Sequence, residues 1–152
     1  MRIALFQPDI AQNTGAVIRL GACLGASVDI IGPAGFDISD RALRRSAMDY
    51  LALADIRAHV SLAEFEAWRR LAGVRLIALS SRGETPYTNV AYKADDILLL
   101  GRESAGLPSS LLDSSDVNVR IQMQPGARSL NVALAAAMVL GEALRQIGEQ
   151  PR

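Results

Sequence analysis

The segment Ile97-Leu-Leu-Leu-Gly-Arg-Glu-Ser-Ala-Gly-Leu-Pro108 limits the possible folds more than any other stretch of the chain. Its wholly apolar start, Ile97 to Leu100, suits a strand covered on both faces, as in a parallel sheet, and ligands of such sheets bind beyond the carboxyl ends of the strands. Gly101 stands at that end, where the missing Cβ lets main chain approach a bound group. Pro108 is placed to open the next helix, where a missing N–H costs nothing. A plain tight turn would give the same local pattern, so the remaining segments have to decide.

Those segments alternate between strand and helix signals. Ile3 to Phe6 reads as a first strand, and Asn13-Thr14 is expected to cap a helix ending near Gly25. Val28 to Ile31 follows as a strand. Asp40 is expected to cap a short basic helix from Arg41 to about Met48, and a weaker strand lies near Asp55 to His59. Ser61 with Glu64 makes a capping-box pattern for a helix whose Phe65, Trp68 and Leu71 suit core or interface. Val74 to Leu79 and Val117 to Ile121 are further strands, and Ser129 is expected to cap the final helix. This alternation, with no internal repeat, predicts an α/β fold with a mostly parallel open sheet flanked by helices. With 152 residues and no Pro/Gly/Ser-rich linker, residues 1–152 are expected to form a single domain.

Charge narrows the partners only locally. Sixteen basic residues balance sixteen acidic ones, so any nucleic-acid contact has to come from a patch or a dimer-built surface. Arg41, Arg44 and Arg45 fall at helical spacings that gather three guanidinium groups on one side of the basic helix, and Arg128 is a candidate to extend the set. Cys23, the only cysteine, excludes an internal disulfide framework and a Cys-based zinc site, and reads as a small hydrophobe inside a helix. His59, the only histidine, reads as structural, and no metal site is expected. The first apolar run is too short for a signal peptide and no stretch reaches membrane-spanning length, so the expectation is a cytoplasmic protein without a membrane partner.

The final helix, Leu130 to Leu144, is apolar on nearly every side and therefore needs cover on every side. Two arrangements supply it. The expected one is a homodimer packed through this helix, with Gly141 and the alanines allowing close backbone approach; the alternative is a central helix buried within one chain.

Asn13-Thr14-Gly15 followed by Arg19, the loop Gly101 to Pro108, and Ile121-Gln122-Met123 leading to Arg128-Ser129-Leu130-Asn131-Val132-Ala133 occur in that order. Together they resemble the three motifs of the SPOUT superfamily of RNA methyltransferases, in its SpoU branch. From Met1 to about Gln146 the chain is similar to the small tRNA 2′-O-methyltransferases that act on the wobble nucleotide, and Leu43 to Tyr50 resembles a further segment of that subgroup. The resemblance implies a deep trefoil knot near the carboxyl end and S-adenosylmethionine as cofactor, held around Leu79, Gly101, Ile121, Met123 and Ser129. It implies an Arg19 placed at the reacting ribose, with Asn13, Glu103, Ser129 and Asn131 around it.

The implied partner is the anticodon stem-loop of tRNA, methylated at position 34 on cytidine or carboxymethylaminomethyluridine; because the chain carries no net charge, holding a whole anticodon arm is expected to need both subunits of a homodimer. In the family the matching arginine is often proposed as the base. A guanidinium keeps its proton at neutral pH, so orienting a phosphate or steadying a developing alkoxide suits Arg19 better. Two departures bear on substrate choice: Gln122 stands where a proline is frequent, and Gly141 where close relatives tend to carry an aromatic residue. Ribosomal RNA or another tRNA position remains an alternative target, and a non-catalytic cofactor- or RNA-binding module an alternative role.

Overall fold

The apolar runs become seven strands in a computed structural model that describes residues 1–37, 39 and 41–148: β1 (Arg2–Phe6), β2 (Ser27–Ile31), β3 (Ile56–His59), β4 (Leu76–Leu79), β5 (Thr85–Pro86), β6 (Ile97–Leu100) and β7 (Val117–Arg120). They form one sheet in the order β3-β2-β1-β6-β4-β7-β5, every pairing parallel. The helices are α1 (Ala11–Leu24), α2 (Arg41–Ala47), α3 (Leu62–Ala72), α4 (Ser109–Ser114) and α5 (Val132–Ile147). Strand β6 lies between β1 and β4 with all of its residues buried, as a continuous apolar run requires.

Strand alternation splits the core in two. Ile3, Leu5, Ile77, Leu98 and Leu100 pack with α1, α2 and α5 on one face, whereas Ala4, Phe6, Leu76, Ile97 and Leu99 pack with Phe65 of α3 and Leu111 of α4 on the other. Register brings Leu5, Leu79 and Leu100 level, with Val119 beside Leu79. The loops after β1, β4, β6 and β7 therefore leave the sheet at one edge.

Several local expectations are corrected. Helix α1 starts at Ala11, and its cap residue Ile10 makes no side-chain cap bond. Asn13 and Thr14 thus sit inside the first turn, which frees the Asn13 amide for partners elsewhere in the chain. Gly25 ends α1 with φ +73°, as expected for a left-handed cap. Gly15 has a packing reason: a Cβ there would lie 2.6 Å from the Leu43 carbonyl oxygen, so its absence lets α2 cross closely over α1. The proposed Asp40 cap of α2 lies outside the described residues. Ser61 does cap α3, accepting from the Glu64 N–H. Of the apolar trio on that helix, Phe65 is fully buried and Trp68 packs against the core, but Leu71 is 91% exposed. Cys23 is on α1 but exposed. His59 is buried with Nε2 2.7 Å from Asp29 Oδ1, a structural position.

Asn131, not Ser129, caps α5: its side-chain oxygen accepts from the N–H groups of Ala133 and Leu134. Ala136, Val139, Leu140, Ala143 and Leu144 form the buried stripe of this helix. Leu134 and Met138 stand 59% and 41% exposed on the other side, which rules out a central helix covered within one chain. The described residues include no helix long and apolar enough to cross a membrane.

Candidate active site

A cleft of about 540 Å³ opens where the loops after β1, β4, β6 and β7 meet the start of α5. Leu79, Leu100, Val119, Ile121 and Met123 give it apolar walls, and Gly101 to Leu107 gives it a backbone-rich rim. Size and lining are those of a site for a small ligand with an apolar part and a few polar groups. Leu79, Gly101, Ile121, Met123 and Ser129 all line it, as do Asn13, Glu103 and Asn131. Residues as far apart in sequence as Asn13 and Asn131 are thus brought to one hollow.

The absent Cβ of Gly101 has a specific use. A Cβ there would lie 2.3 Å from the Gly106 carbonyl carbon and 2.5 Å from the Leu107 nitrogen, so the space is filled by the loop's own backbone. That closure is completed by a reciprocal pair of bonds, Arg102 N–H to Gly106 O and Gly106 N–H to Arg102 O. Gly106, at φ +68°, takes the left-handed conformation that the turn requires.

The polar side of the cleft is a directed chain of hydrogen bonds. Asn13 Nδ2 donates to Glu103 Oε1 at 3.3 Å, and Asn131 Nδ2 donates to Asn13 Oδ1 at 2.8 Å. Asn131 Oδ1 in turn accepts from Ala133 and Leu134 at the start of α5. The two ends dictate both amide orientations. A carboxylate can only accept and helix N–H groups can only donate, so each asparagine must turn its NH₂ toward Glu103 and its oxygen toward α5.

Sequence reasoning missed the group that anchors this chain. Asp9 Oδ1 accepts from Arg102 Nη2 at 2.7 Å, and Asp9 Oδ2 accepts from the Ser104 hydroxyl at 2.6 Å and its N–H at 3.1 Å. The Asp9 N–H donates to Glu103 Oε2 at 2.8 Å. Bonds from Arg102 and Ser104 hold the Asp9 carboxyl down to about 2. A Pro-Asp pair after a strand was the only sequence hint, and nothing in it pointed to residues more than ninety positions away.

Arg19 is not brought to the cleft within one chain. Six residues beyond Asn13, it leaves α1 about 240° further round the axis. It is exposed, with Nη1 donating to Met48 Sδ at 3.2 Å and Cζ 5.3 Å from the Tyr50 ring centroid. Arg41, Arg44 and Arg45 are exposed on α2 and form no ion pair with a described carboxylate. Arg128 lines a second hollow, with Arg120 and residues 121–127, that shares Ser81, Ile121 and Met123 with the cleft. Among the described residues no group of three or more His, Cys, Asp or Glu side chains is placed to hold a metal ion.

Comparison with known proteins agrees with the geometry. The model of the SpoU rRNA Methylase family matches residues 1–141. A protein of Beijerinckia indica subsp. indica, named tRNA (cytidine(34)-2'-O)-methyltransferase, is 55% identical over 146 residues, covering 96% of this chain and 91% of that one. A solved structure concerned with the 2-OH methylation of C/U34 on tRNA has a TM-score of 0.92 at 40% identity, covering 97% of this chain and 95% of that one. The SpoU methyltransferase AviRb from Streptomyces viridochromogenes, in complex with the cofactor AdoMet, has a TM-score of 0.89 at 30% identity, covering 99% of this chain and 59% of AviRb. A family match over almost the full length, on a sheet whose loops bring all three motif segments to one edge, means that the chain belongs to the SpoU rRNA Methylase family.

Proposed function

We propose that this protein transfers a methyl group from S-adenosylmethionine to the ribose 2′-hydroxyl of nucleotide 34 in tRNA, cytidine or carboxymethylaminomethyluridine. The observation that carries the proposal is the meeting of the three motif segments around one cleft, with Asn13, Glu103 and Asn131 in a single hydrogen-bonded chain. The name of a relative at 55% identity over nearly the whole chain favours tRNA position 34 over other RNA targets.

The residues present suit the cofactor. Leu79, Ile121 and Met123 provide apolar walls for an adenine, and the peptide groups of the Gly101–Leu107 rim and Ser129 provide donors and acceptors. Bound there, the cofactor supplies an electrophilic methyl group on a sulfonium sulfur. Transfer needs the ribose oxygen in line with the methyl–sulfur bond, so positioning carries much of the acceleration. Asn13 and Asn131, each held in one orientation, present fixed polar atoms to the ribose.

A homodimer through α5 completes the proposal. Leu130, Leu134 and Met138 leave an apolar face open beside the cleft, and α1, which carries Arg19, packs next to α5. Arg19 then serves the cleft of the partner copy, where its cation orients a phosphate and steadies the developing alkoxide. Arg41, Arg44, Arg45 and Arg128 neutralise phosphates of the anticodon stem-loop. Membership of the SpoU family supports a threaded, knotted carboxyl end, and the single continuous sheet supports one domain acting as a whole. A tRNA substrate supports a cytoplasmic enzyme.

The test is methylation of tRNA transcripts and cellular tRNA by purified protein and S-adenosylmethionine, with nucleoside mass spectrometry of the digested anticodon arm. A 2′-O-methylnucleoside at position 34 is expected. Methylation confined to ribosomal RNA or to another tRNA position would overturn the target, and cofactor binding with no transfer to any RNA would overturn the activity.

A further inference from the structure

We infer that Asp9 is a positioning residue for methyl transfer, a clasp that fixes the tip of the Gly101–Leu107 loop so that Glu103 can orient Asn13 and, through it, Asn131. The inference rests on the proposal that this cleft is the site of reaction.

Asp9 is itself a fixed post. On one side Gln7 N–H donates to Ile31 O, and Pro8 O accepts from Gly35 N–H, so the chain around Asp9 is tied to the end of β2 and the segment after it. Its carboxylate then grips the residues on both sides of Glu103, Arg102 before and Ser104 after, while its own N–H holds the Glu103 carboxylate. Glu103 is thereby held at its backbone neighbours and at its side chain from one residue. With Glu103 fixed, the orientation of both asparagines follows.

The base of the loop does not depend on this clasp. Gly101, Gly106 and Leu107 are closed by their own backbone contacts and the Arg102–Gly106 bond pair. These residues, with Leu79 and Ile121, line the part of the cleft that suits the cofactor. Loss of Asp9 should therefore disturb turnover and leave cofactor affinity standing, a split that a general folding defect would not give.

Asp9→Asn is the sharp variant, because an amide presents a donor to Ser104 or Arg102 where both need an acceptor; Asp9→Glu keeps the charge and tests for rescue. Expected for Asp9→Asn is a fall in kcat of at least tenfold, a change in S-adenosylmethionine Kd of less than threefold by calorimetry, and partial recovery of kcat in Asp9→Glu. Hydrogen exchange supplies a readout that needs no activity: the Ser104 and Asp9 amides should exchange at least tenfold faster in Asp9→Asn, with Gly106 unchanged. Wild-type turnover in Asp9→Asn, or equal losses of kcat, cofactor affinity and Gly106 protection, would overturn the clasp. Should the wild-type protein methylate no RNA, the proposed function falls, and the exchange pattern alone still decides whether Asp9 holds the loop tip.

Discussion

Replacing Asn131 by aspartate or by alanine should separate the stability of α5 from the chemistry of the cleft. Asn131 does two things: its oxygen caps α5 through Ala133 and Leu134, and its NH₂ donates to Asn13 Oδ1 at 2.8 Å. Alanine removes both. Loss of a cap costs about 1 kcal/mol, and loss of one ordinary hydrogen bond adds about 0.5–1.5 kcal/mol. For a domain of this size that sum lowers Tm by roughly 4–8 °C.

Aspartate keeps the cap and adds a carboxylate at a helix N-terminus, worth about 0.3–1 kcal/mol in its favour. It cannot donate to Asn13. If Asn13 flips to face the new carboxylate, its oxygen is turned onto Glu103, so the clash moves along the chain and is not relieved. Asn131→Asp is therefore expected to melt within about 2 °C of wild type and still lose tenfold or more in kcat, whereas Asn131→Ala loses both. Melting curves at one fixed protein concentration and methyl-transfer rates with saturating cofactor are the assays. Wild-type turnover in Asn131→Asp, or a Tm loss equal to that of Asn131→Ala, would refute the reasoning.

Other outcomes follow from the same contacts. Gly15→Ala puts a Cβ 2.6 Å from the Leu43 carbonyl oxygen, so α2 must shift, and urea denaturation should show a loss of about 1–3 kcal/mol. Arg44→Ala with Arg45→Ala should lower the slope of log K against log salt for tRNA binding by roughly 1.5, measured by filter binding; an unchanged slope would remove α2 from the RNA surface. A Cβ at Gly141 would meet nothing within 4 Å in one chain, so Gly141→Ala should raise helix stability by about 0.5–1 kcal/mol while weakening self-association in sedimentation equilibrium. The Asp9 carboxyl is held down to about 2 from an ordinary 3.8. Its contribution to stability is accordingly complete above the ordinary value and lost as pH falls toward the depressed one. The stability gap between wild type and Asp9→Asn should stay constant from pH 7 to about 5, narrow as pH falls through about 2, and close only at about pH 1 in denaturant titrations.

Periodicity and composition were enough to place the strands that matter, because a fully covered parallel strand has to be apolar along its whole length, and Ile97 to Leu100 is. The cleft was legible where a motif residue had a local cause: Gly101 ends its strand, and Leu79 and Ile121 lie at or just beyond theirs. Element starts were less legible. Asn13 has the composition of a cap but serves as a link across the chain, and Asn131 takes the capping role that Ser129 suited equally well by type, since both residues can bond the N–H groups of a first turn.

What the sequence by itself determined is the alternation of strands and helices, the apolar strand behind the loop, and the residue types that line the cleft, since each follows from short-range periodicity and side-chain chemistry. Only the tertiary structure decided that Asp9 holds Arg102 and Ser104, that Asn13 meets both Glu103 and Asn131, and that Arg19 turns away from the cleft of its own chain. Such contacts join positions about ninety or more residues apart, or turn on the direction in which a helix presents a side chain, and strand order fixes them where no local spacing can.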